Sequence, residues 1–241
     1  MKLKETPVVV VTGAAGGMGR AIIEAFRDRH YAVVGIDQVD KPLGVECVWH
    51  RLDVTDAAEV ARVADKTVES LGRLDVWINN AGFLERGAAI EVVPENWDTS
   101  IAVNLSAVFF GAQAAAKHMI KAGQGLIINM SSYTGIAART QCPGYAVGKA
   151  GVIHLTKCLA AEWGPLGIRV NAVAPGYIDT PMIEWMKQEP GAELELKSRA
   201  PLGRFGSPHE IAKAMTYLAS EDATYISGHT MVIDGGIAVA S

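Results

Sequence analysis

"VVVVTGAAGGMGRAI", residues 8–22, decides the fold. Four valines in succession do not alternate as a half-exposed strand does. They read as a short strand covered on both faces, the habit of parallel sheets. The glycines that follow permit turns and backbone approaches closed to other residues, and the pattern from Gly17 onward opens a helix. Strand, glycine-rich turn and helix in that order make a phosphate site. The backbone can approach a pyrophosphate, the orphan amides of the first helical turn can donate to it, and the helix dipole favours its charge. Because residues 16 and 17 are both glycine, the run fits T-G-x-x-x-G-x-G and T-G-x-x-G-x-x-G equally well.

Outward from this stretch the same alternation runs to the end of the chain. Apolar runs at 8–11, 31–36, 46–50, 74–80, 125–131, 168–174 and 230–235 read as seven strands. Helical patterns occupy 17–29, 56–71, about 104–121, 144–163 and 208–219, the last opened by "SPHE". Strand and helix in strict succession predict right-handed crossovers, and hence an α/β, Rossmann-like, doubly wound seven-stranded parallel sheet flanked by helices, one domain over residues 1–241. Residues 181–200, "PMIEWMKQEPGAELELKSRA", exceed the short connection needed there and read as a lid over a strand's carboxyl end.

Composition narrows the function. The chain has 241 residues, 49% hydrophobic and 20% charged, enough for one substantial core and unlike a disordered protein. A net charge of -4, with no lysine/arginine run, argues against nucleic acid and against an anionic membrane surface. Cys47, Cys142 and Cys158 are far apart, with no histidine at ligand spacing, so neither a disulfide framework nor a metal site is expected. The start carries only about five apolar residues before Thr12, too few for a signal peptide, and no later stretch reads as a membrane span. A soluble cytoplasmic protein is the expectation.

Two motifs bear on chemistry. Asp37 ends the second strand, 24 positions after Gly13, where an acid in dinucleotide-binding folds meets the adenosine ribose. A carboxylate there accepts from both ribose hydroxyls and repels a 2′-phosphate, which favours NAD. Arg20, the nearest base, is expected to point into its helix and away from the ribose. Further on, "YAVGK" places Tyr145 and Lys149 four residues apart on one helical face. With six tyrosines and eleven lysines in the chain such a pair arises by chance roughly one time in four, so its surroundings decide its meaning. An ammonium about 4 Å from a phenol, at an effective dielectric of about 20, is worth roughly 4 kcal/mol, about 3 pKa units, and should bring the phenol near 7.

"NNAG" at 79–82, "NMSS" at 129–132 and "PGYIDT" at 175–180 each close a strand. With the glycine turn and "YAVGK" they resemble the short-chain dehydrogenase/reductase family in its compact single-domain form, over essentially the whole chain. The resemblance selects Gly13, Gly17 and Gly19 as the working glycines, with Met18 among them. It implies that Tyr145 is the proton donor or acceptor, that Lys149 also binds the nicotinamide ribose, and that Ser132, 13 positions before Tyr145, holds the substrate oxygen in preference to Ser131. Asn104 takes the place of an asparagine that bends its helix and holds a water leading to the lysine. Asp53 and Val54 correspond to an adenine-edge contact, although Asp53 also suits a helix N-cap. Asn80, Ala81 and Gly82 would pass under the ribose, and Pro175, Gly176, Ile178 and Thr180 would embrace the carboxamide.

What results is an expected NAD-dependent oxidoreductase of a secondary alcohol or ketone, with a polyol, cyclic alcohol or dihydrodiol-like substrate, and a homotetramer by family habit. A 3-oxoacyl reductase is the alternative of the same class, and a non-catalytic NAD-binding regulator that of another. Substrate contacts are expected from Phe83–Arg86, Tyr133–Gln141, Tyr177 and the lid; among these Arg139 and Glu85 could recognise polar groups or be solvated. The histidines read as structural, with His154 on the buried side of its helix.

Overall fold

The computed structural model describes residues 6–188 and 190–240; the basic prelude, Ser241 and Glu189 of the lid lie outside the described residues. Seven strands form one sheet, β1 (Val8–Thr12), β2 (Ala32–Asp37), β3 (Val48–Arg51), β4 (Val76–Asn79), β5 (Gly125–Met130), β6 (Ile168–Pro175) and β7 (Thr230–Ile233). Their order is β3-β2-β1-β4-β5-β6-β7 with every pairing parallel. All seven expected strands are present.

The valine run shows why no alternation was visible. Val8 and Val10 face a core shared with Val34, Trp77, Ile127 and Val170. Val9 and Val11 face the opposite core, with Ile22, Phe26, Ile78 and Ile128. Helices α1 (Gly17–Arg27) and α7 (Pro208–Leu218) cover this second face. Helix α2 (Ala57–Leu71), with α4 (Ala107–Ala122) and α5 (Pro143–Trp163), covers the first. Ile22 and Phe26 of α1 are fully buried, each worth about 2 kcal/mol by the area removed from water. Local signals start the helices: Asp56 caps α2 through the amides of Ala58 and Glu59, and Ser207 with Glu210 of "SPHE" forms a reciprocal capping box.

Some boundaries differ. The helix expected near 104–121 begins ten residues earlier with α3 (Pro94–Ile101) and passes through a π turn, Ala102–Ser106, into α4. The polar start "ENWDTS" has only a weak apolar stripe, which hid it. Pro94–Ala122 is continuous, long and apolar enough by length and composition to cross a membrane, which corrects the reading that no later stretch approaches a span. Half of its apolar window is buried inside the domain, Ala112, Ala115 and Met119 packing in the core against β4 and β5. The lid contains a 3-10 segment, Pro181–Lys187, and α6 (Ala192–Ser198). Ile183, Leu196 and Ala200 fasten it to Tyr133, Tyr177 and Ile237, the last from the short C-terminal α8 (Ile237–Ala240). His154 is exposed, against expectation: on α5 the buried positions are Gly148, Val152, Thr156 and Leu159, and His154 falls between them.

Candidate active site

Strand order reverses between β1 and β4, and the carboxyl ends of these strands part there to open a crevice, the ordinary ligand position of such sheets. The crevice is a cleft of about 820 Å³ bordered by the glycine turn, Asp37, Asp53, Val54, Asn80–Phe83 and Thr180. Gly13 has φ +63°, and a side chain on it would come within 2.7 Å of Ala81. A Cβ on Gly19 would sit 2.2 Å from the Gly13 carbonyl, so α1 can start this close to β1 only with glycine there. The start of α1 has no side-chain cap, and its first amides face the cleft unclaimed by one. Across the turn, Gly17 lies so near Thr180 that a Cβ would be 3.1 Å from its methyl group. Thr12 Oγ1, which the sequence reading missed, accepts from the amides of Asn80 and Ala81 at 3.0 Å each. Asn80 Nδ2 returns to the carbonyls of Thr12 and Gly13, while its buried Oδ1 has no partner among the described residues. A dinucleotide fits this cradle: the glycines are sterically required, the helix start suits a pyrophosphate, and an orphaned acceptor borders the space.

At the ribose end Asp37 Oδ2 accepts from the Ala15 amide at 2.9 Å, tying β2 to the glycine turn, and the carboxylate still borders the cleft. Asp53 does not cap α2. Its Oδ1 holds Thr55 N and Oγ1, and Asp56 takes the cap. Arg20 corrects an expectation. It folds back so that Nε donates to the Ala15 carbonyl at 2.9 Å, and it borders the same cleft as Asp37. A flexible arginine in the first turn of α1 reaches the turn as easily as the helix, and spacing did not reveal which.

The cleft continues into a small pocket of about 60 Å³ holding Ser132, Tyr145 and Lys149 together with Pro175, Gly176, Ile178 and Thr180. Met18, Asn80, Gly82 and Thr180 border both spaces. Tyr145 and Ser132 line this pocket together, and Ser132 Oγ accepts from the Thr134 amide at 3.2 Å. Ser131 is otherwise engaged, its hydroxyl donating to the Lys149 carbonyl at 2.8 Å, which supports the choice of Ser132. Lys149 is 2% exposed, and its Nζ donates to the Met130 carbonyl at 2.9 Å. Asn104 lies in the π turn and clamps Phe83, accepting from its amide at 3.1 Å and donating to its carbonyl at 2.7 Å. A Cβ on Gly82 would be 3.4 Å from Asn104 Oδ1 and 3.5 Å from Lys149 Nζ, so these three residues meet. Beneath them Asn79, Asn129 and Thr156 form a buried chain of hydrogen bonds that pins the ends of β4 and β5 to α5.

The electrostatics correct one expectation. Tyr145 is not brought near neutrality by Lys149. Burial pushes its phenol up, opposed by the hydroxyl of Ser132 and by the charge of Arg139. Lys149 Nζ lies 5.5 Å from the tyrosine ring centroid, is turned to Met130, and is itself lowered by burial to about 8. The simple two-charge picture omitted desolvation, which is the largest influence on both groups, and assumed a contact that Lys149 Nζ makes with Met130 instead.

Beyond Tyr145 an outer pocket of about 320 Å³ lies under the lid, joined to the small pocket through Leu84 and Arg139. Groove, reactive pocket and outer pocket therefore run in series. Among the described residues no group of three histidine, cysteine or acidic side chains is arranged to hold a metal.

Residues 13–238 match a family model described as enoyl-(acyl carrier protein) reductase. A 3-oxoacyl-[acyl-carrier-protein] reductase of Thermotoga maritima is 39% identical, over 98% of this chain and 99% of its own. A D-threitol dehydrogenase of Mycolicibacterium smegmatis is 38% identical, over 96% of this chain and 93% of its own. An actinorhodin polyketide ketoreductase whose crystal structure contains NADPH superposes with a TM-score of 0.92 at 29% identity, covering 99% of both chains.

Proposed function

The chain belongs to the short-chain dehydrogenase/reductase family, oxidoreductases of alcohols and ketones, and from that premise we propose an NAD-dependent dehydrogenase of a small polyol or cyclic secondary alcohol. The observation that carries this reading is the gathering of Ser132, Tyr145 and Lys149 in one pocket at the inner end of a dinucleotide-sized cleft.

When bound, the dinucleotide supplies a two-electron acceptor for the hydrogen on the alcohol carbon. The turn Gly13–Gly19 would hold it, with Asp37 at the ribose, Asp53 and Val54 at the adenine, Asn80–Gly82 along the strand end, and Pro175, Gly176, Ile178 and Thr180 at the carboxamide. Ser132 holds the substrate oxygen beside Tyr145 Oη, which takes the hydroxyl proton during oxidation and returns it during reduction. Lys149, its Nζ now on the Met130 carbonyl, would bind the nicotinamide ribose and so fix the ring. Asn104 fixes Phe83 and, through Gly82, the floor of the pocket. Burial of the phenol makes its base form scarce at neutral pH, so oxidation should quicken as pH rises. For assembly we keep the homotetramer, supported by the exposed apolar groups Trp97, Phe110 and Val147 on α3, α4 and α5, and for location the cytoplasm.

A second reading, reduction of 3-oxoacyl groups, is favoured by the Thermotoga relative. Against it stands the lid, where residues 181–200 carry four glutamates against two lysines and one arginine, a poor surface for an acidic carrier protein. Steady-state turnover of D-threitol, cyclohexanol and a 3-oxoacyl thioester, each with NAD(H) and with NADP(H), decides between them. Alcohol oxidation with NAD should dominate, and fast NADPH-linked thioester reduction overturns the reading. On the same substrates Asp37→Ala should weaken NAD by about 10- to 100-fold while sparing NADP, the loss expected for charge-assisted hydrogen bonds. Equal losses of both cofactors assign Asp37 to holding the Ala15 turn alone.

A further inference from the structure

The outer pocket has an unbalanced charge. Three arginines line it, Arg86, Arg139 and Arg199, with Glu195 as the single carboxylate among the described lining residues. Glu195 is already engaged, accepting from Arg199 Nη2 at 2.8 Å. Arg86 stacks 3.5 Å over the Trp185 ring and donates to Gln141 Oε1 at 3.2 Å. Arg139 is the half-buried member, set between the outer pocket and the reactive one, and it borders both. Its contacts are the Met186 sulfur at 3.6 Å and the face of Tyr177, 5.4 Å away, and it forms no ion pair among the described residues. A thioether and an aromatic face replace little of the hydration a guanidinium loses, so such a group gains strongly from an anion that arrives with a ligand.

We propose that the substrate is a secondary alcohol, or the corresponding ketone, that carries a carboxylate, and that Arg139 receives this carboxylate so as to set the reacting carbon against Ser132 and Tyr145. This deepens the oxidoreductase reading above and rests on it. A pocket of about 320 Å³ suits a small molecule, and one free guanidinium suits a monoanion held through two parallel hydrogen bonds. The lid takes part directly, since Met186, Glu195 and Arg199 all belong to it. Arg86, which forms no ion pair among the described residues, keeps the rim positive and draws an anion inward, although the chain as a whole is negative.

The test compares 4-hydroxycyclohexanecarboxylate with its carboxamide as substrates, and cyclohexanecarboxylate with cyclohexanecarboxamide as calorimetric ligands of the cofactor-loaded protein. In wild type the acid should exceed the amide by about 10- to 100-fold in kcat/KM, mostly through KM, and by a similar factor in Kd. In Arg139→Gln both ratios should fall toward one, and Arg139→Lys should restore part of them, charge without the fork. Equal use and equal binding of acid and amide by wild type overturns the proposal, as does a ratio that survives Arg139→Gln. If every alcohol fails to turn over, the oxidoreductase reading fails. The calorimetric ratio then still decides whether Arg139 is an anion site.

Discussion

Replacing Tyr145 with phenylalanine should lower kcat for alcohol oxidation by about 10³-fold, the scale of a lost general acid or base, while the dinucleotide binds within a factor of about three of its wild-type affinity. The substitution removes one oxygen. The ring keeps its place on α5, and the groups assigned to the dinucleotide's adenosine and pyrophosphate lie in the larger cleft, so binding has little cause to change. Single-turnover kinetics and a nucleotide titration on the same preparation separate the two quantities. Turnover within tenfold of wild type would remove Tyr145 from the chemistry; parallel loss of binding and turnover would make it a structural residue.

Lys149→Met should reduce turnover by about 10²-fold or more, because the group proposed to hold the nicotinamide ribose against the reacting centre disappears. The same variant reports on folding with a definite sign. Lys149 has a folded-state pKa of about 8 against an ordinary 10.5. Below pH 8 the ammonium is charged in both states, and the folded protein bears the whole cost of burying it. Between pH 8 and 10.5 the folded state gives up the proton first, and above 10.5 the cost is gone. Wild type should therefore gain stability relative to Lys149→Met as pH rises from 7 to 10.5, by about 3 kcal/mol at most. Denaturant melts of both proteins at pH 7 and pH 10 measure this, and a gap that does not move with pH contradicts a strongly desolvated lysine.

How far the sequence led can be judged residue by residue. The parallel sheet was readable because Val8–Val11 are buried in two cores at once, a pattern that few other structures require. The glycine turn and "NNAG" fell into one groove, and "NMSS" and "PGYIDT" into the pocket it opens on, because a doubly wound sheet collects its carboxyl ends there. Burial and reach were not readable. A spacing of four residues places Tyr145 and Lys149 on one face, yet it does not say that Nζ turns to the Met130 carbonyl or that desolvation is the largest influence on both groups. Nor does it say whether Arg20 lies along its helix or folds back onto the turn, or which of Asp53 and Asp56 caps α2. The π turn at Ala102–Ser106 had no signal beyond Asn104 itself. Arg139 stood out only once the lid was in place to show that it has no acidic partner there.

The central claim is that Tyr145 moves the proton, with its titration set by what lies against it. Carbon NMR of protein labelled at the tyrosine ring carbon bearing oxygen, with Tyr145→Phe to assign the signal, measures that titration directly. Without dinucleotide the Tyr145 signal should titrate above the ordinary phenol value, as its burial requires; with NAD+ bound it should move down as positive charge arrives beside it. A phenol whose titration is the same in both samples would contradict the claim.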